Sequence, residues 1–262
     1  MNNANDDNLG GTQNQFGYEW SYYKTILPEY KFQFIKWIFP FKIEDFKGKS
    51  FIDAGCGIGR NSYWPLLKGA KSCFAFDFDK RTVEVAKSNL VKFDNVKLDY
   101  LSIYDLDIEN EYDIAFSIGV IHHLKFPDKA IKNLFKSLKP GGKLILWVYA
   151  KEGNEKKLML IKPLRVLTVN LPLGFTKFIS KILSYILWLL LKVYSRSPYF
   201  KLMKTFSLIH LESIIFDQLI PSIANYWSKE DALNLVKGLK VKSVDIYHTN
   251  KMSWTLICEK SN

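Results

Sequence analysis

The chain has 262 residues, enough for one α/β domain with room for an insertion or for two small domains. A hydrophobic share of 48% and an aromatic share of 15% supply a sizeable core and exclude disorder along the whole chain. The net charge of +11 is local: residues 151–204 carry eleven basic side chains against Glu152 and Glu155, and the other segments are close to balance.

Residues 1–15, MNNANDDNLGGTQNQ, lack hydrophobic periodicity and read as a disordered tail. They also lack the cationic flank and apolar run of a signal peptide, so no secretion is implied. Cys56, Cys73 and Cys258 share no metal-ligand spacing and cannot build a disulfide scaffold; no metal is expected, and a reducing cytoplasm is. From Phe16 to Phe46 aromatic residues recur at mixed helical spacings, which predicts one or two helices packed on the main domain.

From Ser50 strands and helices alternate. SFIDAG is a short buried strand ended by glycine, followed by a helix from Arg60 to Gly69 and a second strand, KSCFAFD. A helix spans Lys80 to Phe93, VKLDYL is the third strand, YDIAFSIG the fourth, Lys129 to Leu138 a helix, and KLILWVYA the fifth strand. Lys139-Pro-Gly-Gly142 marks the turn before that strand. After an interruption over 151–221, Ser228 and Asp231 form a plausible capping pair for a helix to Leu239, and two strands close the chain. The expected fold is therefore α/β: a Rossmann-like, doubly wound, mostly parallel seven-stranded sheet with N-terminal helices and a helical insertion after strand five. The domain reading is tail 1–15, core 16–150, insertion 151–221 and completing elements 222–262.

The strongest chemical signal is Asp53-Ala-Gly55-Cys56-Gly57-Ile-Gly59-Arg60 at the end of the first strand. Glycines there let the backbone turn sharply and approach a ligand that a Cβ would exclude. A dinucleotide loop needs glycine or alanine at the sixth position, where this chain has Arg60, and Asp53 would repel a pyrophosphate. Both disfavour a nicotinamide enzyme. Asp77 ends the second strand, where an acid accepts hydrogen bonds from a ribose diol.

This loop, with the acid ending the next strand, SIGVIHHL at 117–124 and LKPGGKL at 138–144, resembles the class I S-adenosylmethionine-dependent methyltransferases, in their menaquinone/ubiquinone-methyltransferase-like branch. The resemblance implies S-adenosyl-L-methionine as cofactor, with S-adenosyl-L-homocysteine as product. It implies that the backbone of Gly55, Cys56 and Gly57, in the loop completed by Gly59, holds the methionine end with Asp53. Asp77 would take the ribose hydroxyls, Phe78 would lie against the adenine, Ser102 and Ile103 would line its edge, and Ser117 and Ile118 would meet the amino acid moiety. Many relatives place an acid where Ser102 stands. His122 and His123 follow the fourth strand, facing the acceptor, where either could serve as general base or simply pack. Phe16-Gly17-Tyr18-Glu19-Trp20 resembles a segment that closes over the cofactor, with plain packing as the alternative. Phe216 to Pro221 reads as structural.

Acceptor specificity is expected in 151–221. The uncharged run Ile182 to Leu191 is ten residues, half of the ~20 needed to span a bilayer, so the helix is either a buried lid or an interfacial element. The lid is slightly favoured. The local charge suits an anionic membrane surface through 151–204, and the expected partners are a small-molecule or lipid-linked acceptor. Nucleic acid ranks lower, because the basic residues are interleaved with aliphatics. The expected reaction is methylation of a hydroxyl on a sugar, polysaccharide or lipid-linked intermediate. Carbon methylation of an isoprenoid quinone precursor and a cofactor-binding subunit without turnover are the alternatives. Localisation is read as cytoplasmic, with peripheral attachment at the inner membrane face open, and oligomeric state is left open.

Overall fold

The computed structural model describes residues 12–193, 200 and 203–262. Residues 1–11 of the expected tail, and Tyr194, Arg196 and Lys201 of the basic segment, lie outside the described residues. Strands β1 (Ser50–Ala54), β2 (Ser72–Asp77), β3 (Val96–Tyr100), β4 (Tyr112–Ile118), β5 (Leu138–Tyr149), β6 (Val241–Thr249) and β7 (Ser253–Lys260) form one sheet in the order β3-β2-β1-β4-β5-β7-β6. All pairings are parallel except β5 with β7 and β6 with β7. The order reverses between β1 and β4, which opens a crevice at their carboxyl ends.

Local chemistry explains the crossovers. Every residue of β1 is buried, as a central strand covered on both faces requires. The Asp79 carboxylate caps α4 (Lys80–Leu90) by accepting from the backbone N–H of Arg81 and Thr82. Ser228 and Asp231 form the expected reciprocal capping box on α9, which is shorter than the sequence suggests, Lys229–Asn234. Helices α3 (Arg60–Leu67) and α5 (Pro127–Ser137) complete the layers. One face of the sheet packs Phe74, Ile131 and Leu144, the other Phe34, Phe46, Phe51 and Phe116.

Two expectations need correction. The tail was read to residue 15, but α1 (Gln13–Tyr22) begins earlier, because the Thr12 hydroxyl donates to the His123 carbonyl at 3.2 Å. Helix α2 (Glu29–Ile38) follows it.

The second concerns the insertion, which holds α6 (Glu155–Thr168), α7 (Leu173–Val193) and α8 (Leu208–Leu219). The apolar helix α7 is not the lid. It buries the small polar residues Thr176, Ser180 and Ser184, spaced by four, and turns Phe178, Ile182, Tyr185, Ile186, Leu189 and Leu190 outward. Burying those hydroxyls costs little, since Ser180 donates to the Thr176 carbonyl at 2.9 Å and Ser184 to the Lys181 carbonyl at 2.8 Å. Over 21 residues, mostly unburied and with a mean hydropathy of 1.4, α7 is long and apolar enough by length and composition to cross a membrane. It is α8 that covers the crevice.

Candidate functional site

The crevice encloses a cavity of about 230 Å³. Its floor is the glycine loop. Gly55 and Cys56 donate their backbone N–H groups to the Phe76 carbonyl at 2.9 and 3.0 Å, bending the chain back against β2. Gly55 has φ +74°, and a Cβ there would stand 2.4 Å from Val120 Cγ2. Gly55, Cys56 and Gly57 line the cavity, whereas Gly59 sits beneath it as the N-cap of α3, packed on Leu90.

Asp77 also lines the cavity. Its Oδ2 accepts from Gly57 N–H at 2.9 Å and its Oδ1 from Asp79 N–H at 3.1 Å. Burial pushes its carboxyl up to about 6 against those backbone donors. Phe78 lies on Tyr100 with ring centroids 5.5 Å apart and planes within 6°. Phe78, Ser102, Ile103 and Ile118 complete this half of the wall.

Asp53 and Ser117 do not reach the cavity. Asp53 is 1% exposed; Oδ2 accepts from the Ser62 hydroxyl at 2.6 Å while Oδ1 has no partner. Burial is the main reason its carboxyl is pushed up to about 7. The Ser117 hydroxyl donates to the Ala54 carbonyl at 3.0 Å and so ties β4 to β1.

The two histidines separate cleanly. His122 is fully buried off the cavity, with neither ring nitrogen partnered and its ring on Tyr149 at a centroid distance of 3.7 Å. Burial holds it well below 6.5, hence neutral. His123 lines the cavity, and its Nδ1 meets the Ile223 carbonyl at 2.7 Å. A carbonyl can only accept, so Nδ1 carries the hydrogen and Nε2 keeps a lone pair. That Nε2 is buried without a partner. Burial pulls His123 down to about 4, while the charge of Asp217 pulls it the other way.

In the far half of the cavity the sequence points only to Glu19 and Trp20, in the segment resembling one that closes over the cofactor. Trp147 and Tyr149 come from the end of β5, Trp20 and Glu19 from α1, Trp37 from α2, and His210, Ser213, Ile214 and Asp217 from α8. Arg60 stands at the junction, its guanidinium 4.6 Å from the Trp20 ring centroid, 4.8 Å from Tyr30 and 5.6 Å from Trp37. The stretch Phe216 to Pro221, read as structural, supplies Asp217, whose Oδ2 accepts from the Tyr149 hydroxyl at 3.3 Å and Gln218 Nε2 at 3.2 Å. No signal in the sequence singled out Asp217, since the same helix also carries His210, Glu212 and Gln218. Helix α1 is pinned over the first half by the Thr12 bond and by Gln13 Nε2, which donates to the Phe78 carbonyl.

Residues 52–146 match a family described as a methyltransferase domain. A tRNA U34 carboxymethyltransferase of Pseudoalteromonas translucida is 29% identical over 122 residues, 45% of this chain and 37% of that protein. A tRNA N(3)-methylcytidine methyltransferase of Schizosaccharomyces pombe is 32% identical over 122 residues, 41% of this chain and 39% of that one. The chain spans between 26% and 48% of the length of the first curated relatives it matches. Among solved structures, a putative methyltransferase of Haloferax volcanii in complex with the Trm112 methyltransferase activator shares the fold, with TM-score 0.59, 13% identity and coverage of 96% of this chain and 98% of that one. A putative S-adenosyl-L-methionine-dependent methyltransferase of Methanococcus maripaludis gives 0.54 at 17% identity, covering 94% of each chain. The ranking of partners read from the sequence is corrected here. It put nucleic acid below a small-molecule or lipid-linked acceptor and a membrane surface, and two of these relatives are named as tRNA-modifying enzymes.

Proposed function

The chain carries a class I S-adenosylmethionine-dependent methyltransferase domain, and from that premise we propose that it methylates a base of tRNA drawn into the aromatic half of the cavity. One observation carries the reading: a single cavity runs from the glycine loop and Asp77 to Trp37, Trp147 and Tyr149, with His123 Nε2 unpartnered in its wall. A base extruded from a nucleic acid needs such planar apolar walls to replace its lost stacking. The sugar, lipid-linked and quinone acceptors expected from the sequence have no counterpart among the curated relatives above that name an acceptor.

The residues present fit the cofactor. Backbone at Gly55, Cys56 and Gly57 lines the cavity as a cradle, closed so tightly that a Cβ at Gly55 would collide with Val120 in the same wall. It takes the methionine end, with Asp53 and Gly59 holding the loop from beneath and Ser117 holding β4 beside Ile118. Asp77 takes the ribose hydroxyls, and Phe78, Ser102 and Ile103 border the adenine. When bound, S-adenosylmethionine supplies an electrophilic methyl on a positively charged sulfur. The chain supplies proximity, which accounts for much of the rate of an in-line displacement. His123 Nε2 receives the proton the acceptor loses, its tautomer set by Ile223. The exposed lysines of the insertion, Lys162, Lys181 and Lys192, meet phosphates.

The test is transfer of labelled methyl from S-adenosylmethionine to unfractionated tRNA. Label enters the nucleic acid, falls steeply with added salt, and is lost in Asp77→Ala together with calorimetric cofactor binding. Binding of the cofactor with no label in tRNA overturns the acceptor; no binding of the cofactor overturns the whole reading.

A further inference from the structure

Glu19 and Asp217 are nearly two hundred residues apart in sequence, yet α1 and α8 bring both residues into the wall of the acceptor half. Glu19 is 1% exposed and its Oε2 has no partner. A buried, unpartnered carboxyl oxygen on a residue that lines a cavity is costly, and a donor from a ligand would relieve it. Asp217 is oriented by two donors that both reach Oδ2, from Tyr149 and Gln218. The groups acting on Glu19 are few. Burial pushes its carboxyl well above 4.5, the charge of Asp217 pushes it further, and Arg60 opposes them.

Two carboxyl groups in one wall want two donor hydrogens from whatever lies between them. A hydroxyl offers one, and so does a ring N–H. An amino group offers two, and keeps its nitrogen lone pair for attack.

We propose that Glu19 and Asp217 together hold an amino group, so that the acceptor atom is the exocyclic nitrogen of an amino-bearing base. This rests on the tRNA reading above. The nitrogen–methyl bond forms as the methyl–sulfur bond breaks. The electron pair of the broken bond stays on sulfur, giving S-adenosylhomocysteine, and the nitrogen gives up one proton to His123 Nε2. Asp217 also acts electrostatically on that imidazole, favouring its charged form.

The experiment has two arms. In the first, tRNA labelled from S-adenosylmethionine is digested to nucleosides. Label on an exocyclic amine supports the proposal; label on a carbon or ring nitrogen of a base overturns it while leaving the tRNA reading standing, and label on ribose overturns both. If no label enters tRNA, that reading fails and the second arm decides. There, calorimetry on protein saturated with S-adenosylhomocysteine compares free cytosine, which has an amino group, with uracil, which has none. Cytosine binds about 10-fold tighter in the native protein, the size expected for one net hydrogen bond. Glu19→Gln and Asp217→Asn narrow that preference with the affinity for S-adenosylhomocysteine unchanged. Equal binding of the two bases, or a preference for uracil, overturns the proposal.

Discussion

Adding one methyl group at Gly55 tests how the loop is built. The residue has φ +74°, so alanine there carries the left-handed backbone cost of ~1–2 kcal/mol. Its Cβ would also stand 2.4 Å from Val120 Cγ2 and 3.0 Å from Cγ1, closer than carbon atoms pack, and such overpacking typically costs ~1–3 kcal/mol. Gly48 isolates the first contribution: its φ is +69°, and no atom lies within 4 Å of an added Cβ. Gly48→Ala should therefore lose only the backbone part, and Gly55→Ala should lose ~1–3 kcal/mol more in urea unfolding of the cofactor-free protein. Because Gly55 and Val120 both line the cavity, Gly55→Ala should also weaken calorimetric binding of S-adenosylhomocysteine, which Gly48→Ala leaves alone. If the two variants unfold alike and bind alike, the close approach of the loop to Val120 is not what positions the cofactor.

The raised carboxyl of Asp53 has a stability consequence. With a folded value of about 7 against ~3.9 unfolded, its contribution is full below the unfolded value and is lost as pH rises through 7. Between pH 5 and 8 the cofactor-free protein should lose roughly 2–3 kcal/mol more than Asp53→Asn in urea titrations, and equal slopes refute the assignment. At the histidines, His123→Phe should lower kcat by ~10²–10⁴, whereas His122→Phe, which keeps a ring on Tyr149, should stay within a few-fold. Comparable losses at both would remove the proton-acceptor role from His123. On α7, Ile186→Lys at an exposed position should shift unfolding by under ~0.5 kcal/mol, and Ser180→Leu at a fully buried one should cost ~1–3 kcal/mol. The reverse order would mean that the helix packs by its apolar side.

What could be read from the sequence follows from the range of the interactions. The glycine loop, Asp77 and the strand alternation declare themselves because a sharp turn, a strand end and a helix start are local, and local chemistry leaves local residues. The start of α1 does not, because the Thr12 bond that holds it reaches a carbonyl 111 residues away. The acceptor half is hidden for the same reason. Asp217 becomes a site residue only through Tyr149, 68 residues before it, and through Glu19 across the cavity. Composition also says how apolar α7 is without saying which side it buries. There Ser180 and Ser184 turn inward because they satisfy themselves on the helix's own carbonyls, with Leu191 beside them near the end, and most of the larger chains are left outside. The cofactor half of the cavity is thus written in short runs at the ends of successive strands. The far half of the cavity is written in contacts between α1, β5 and α8, which a single sequence does not order.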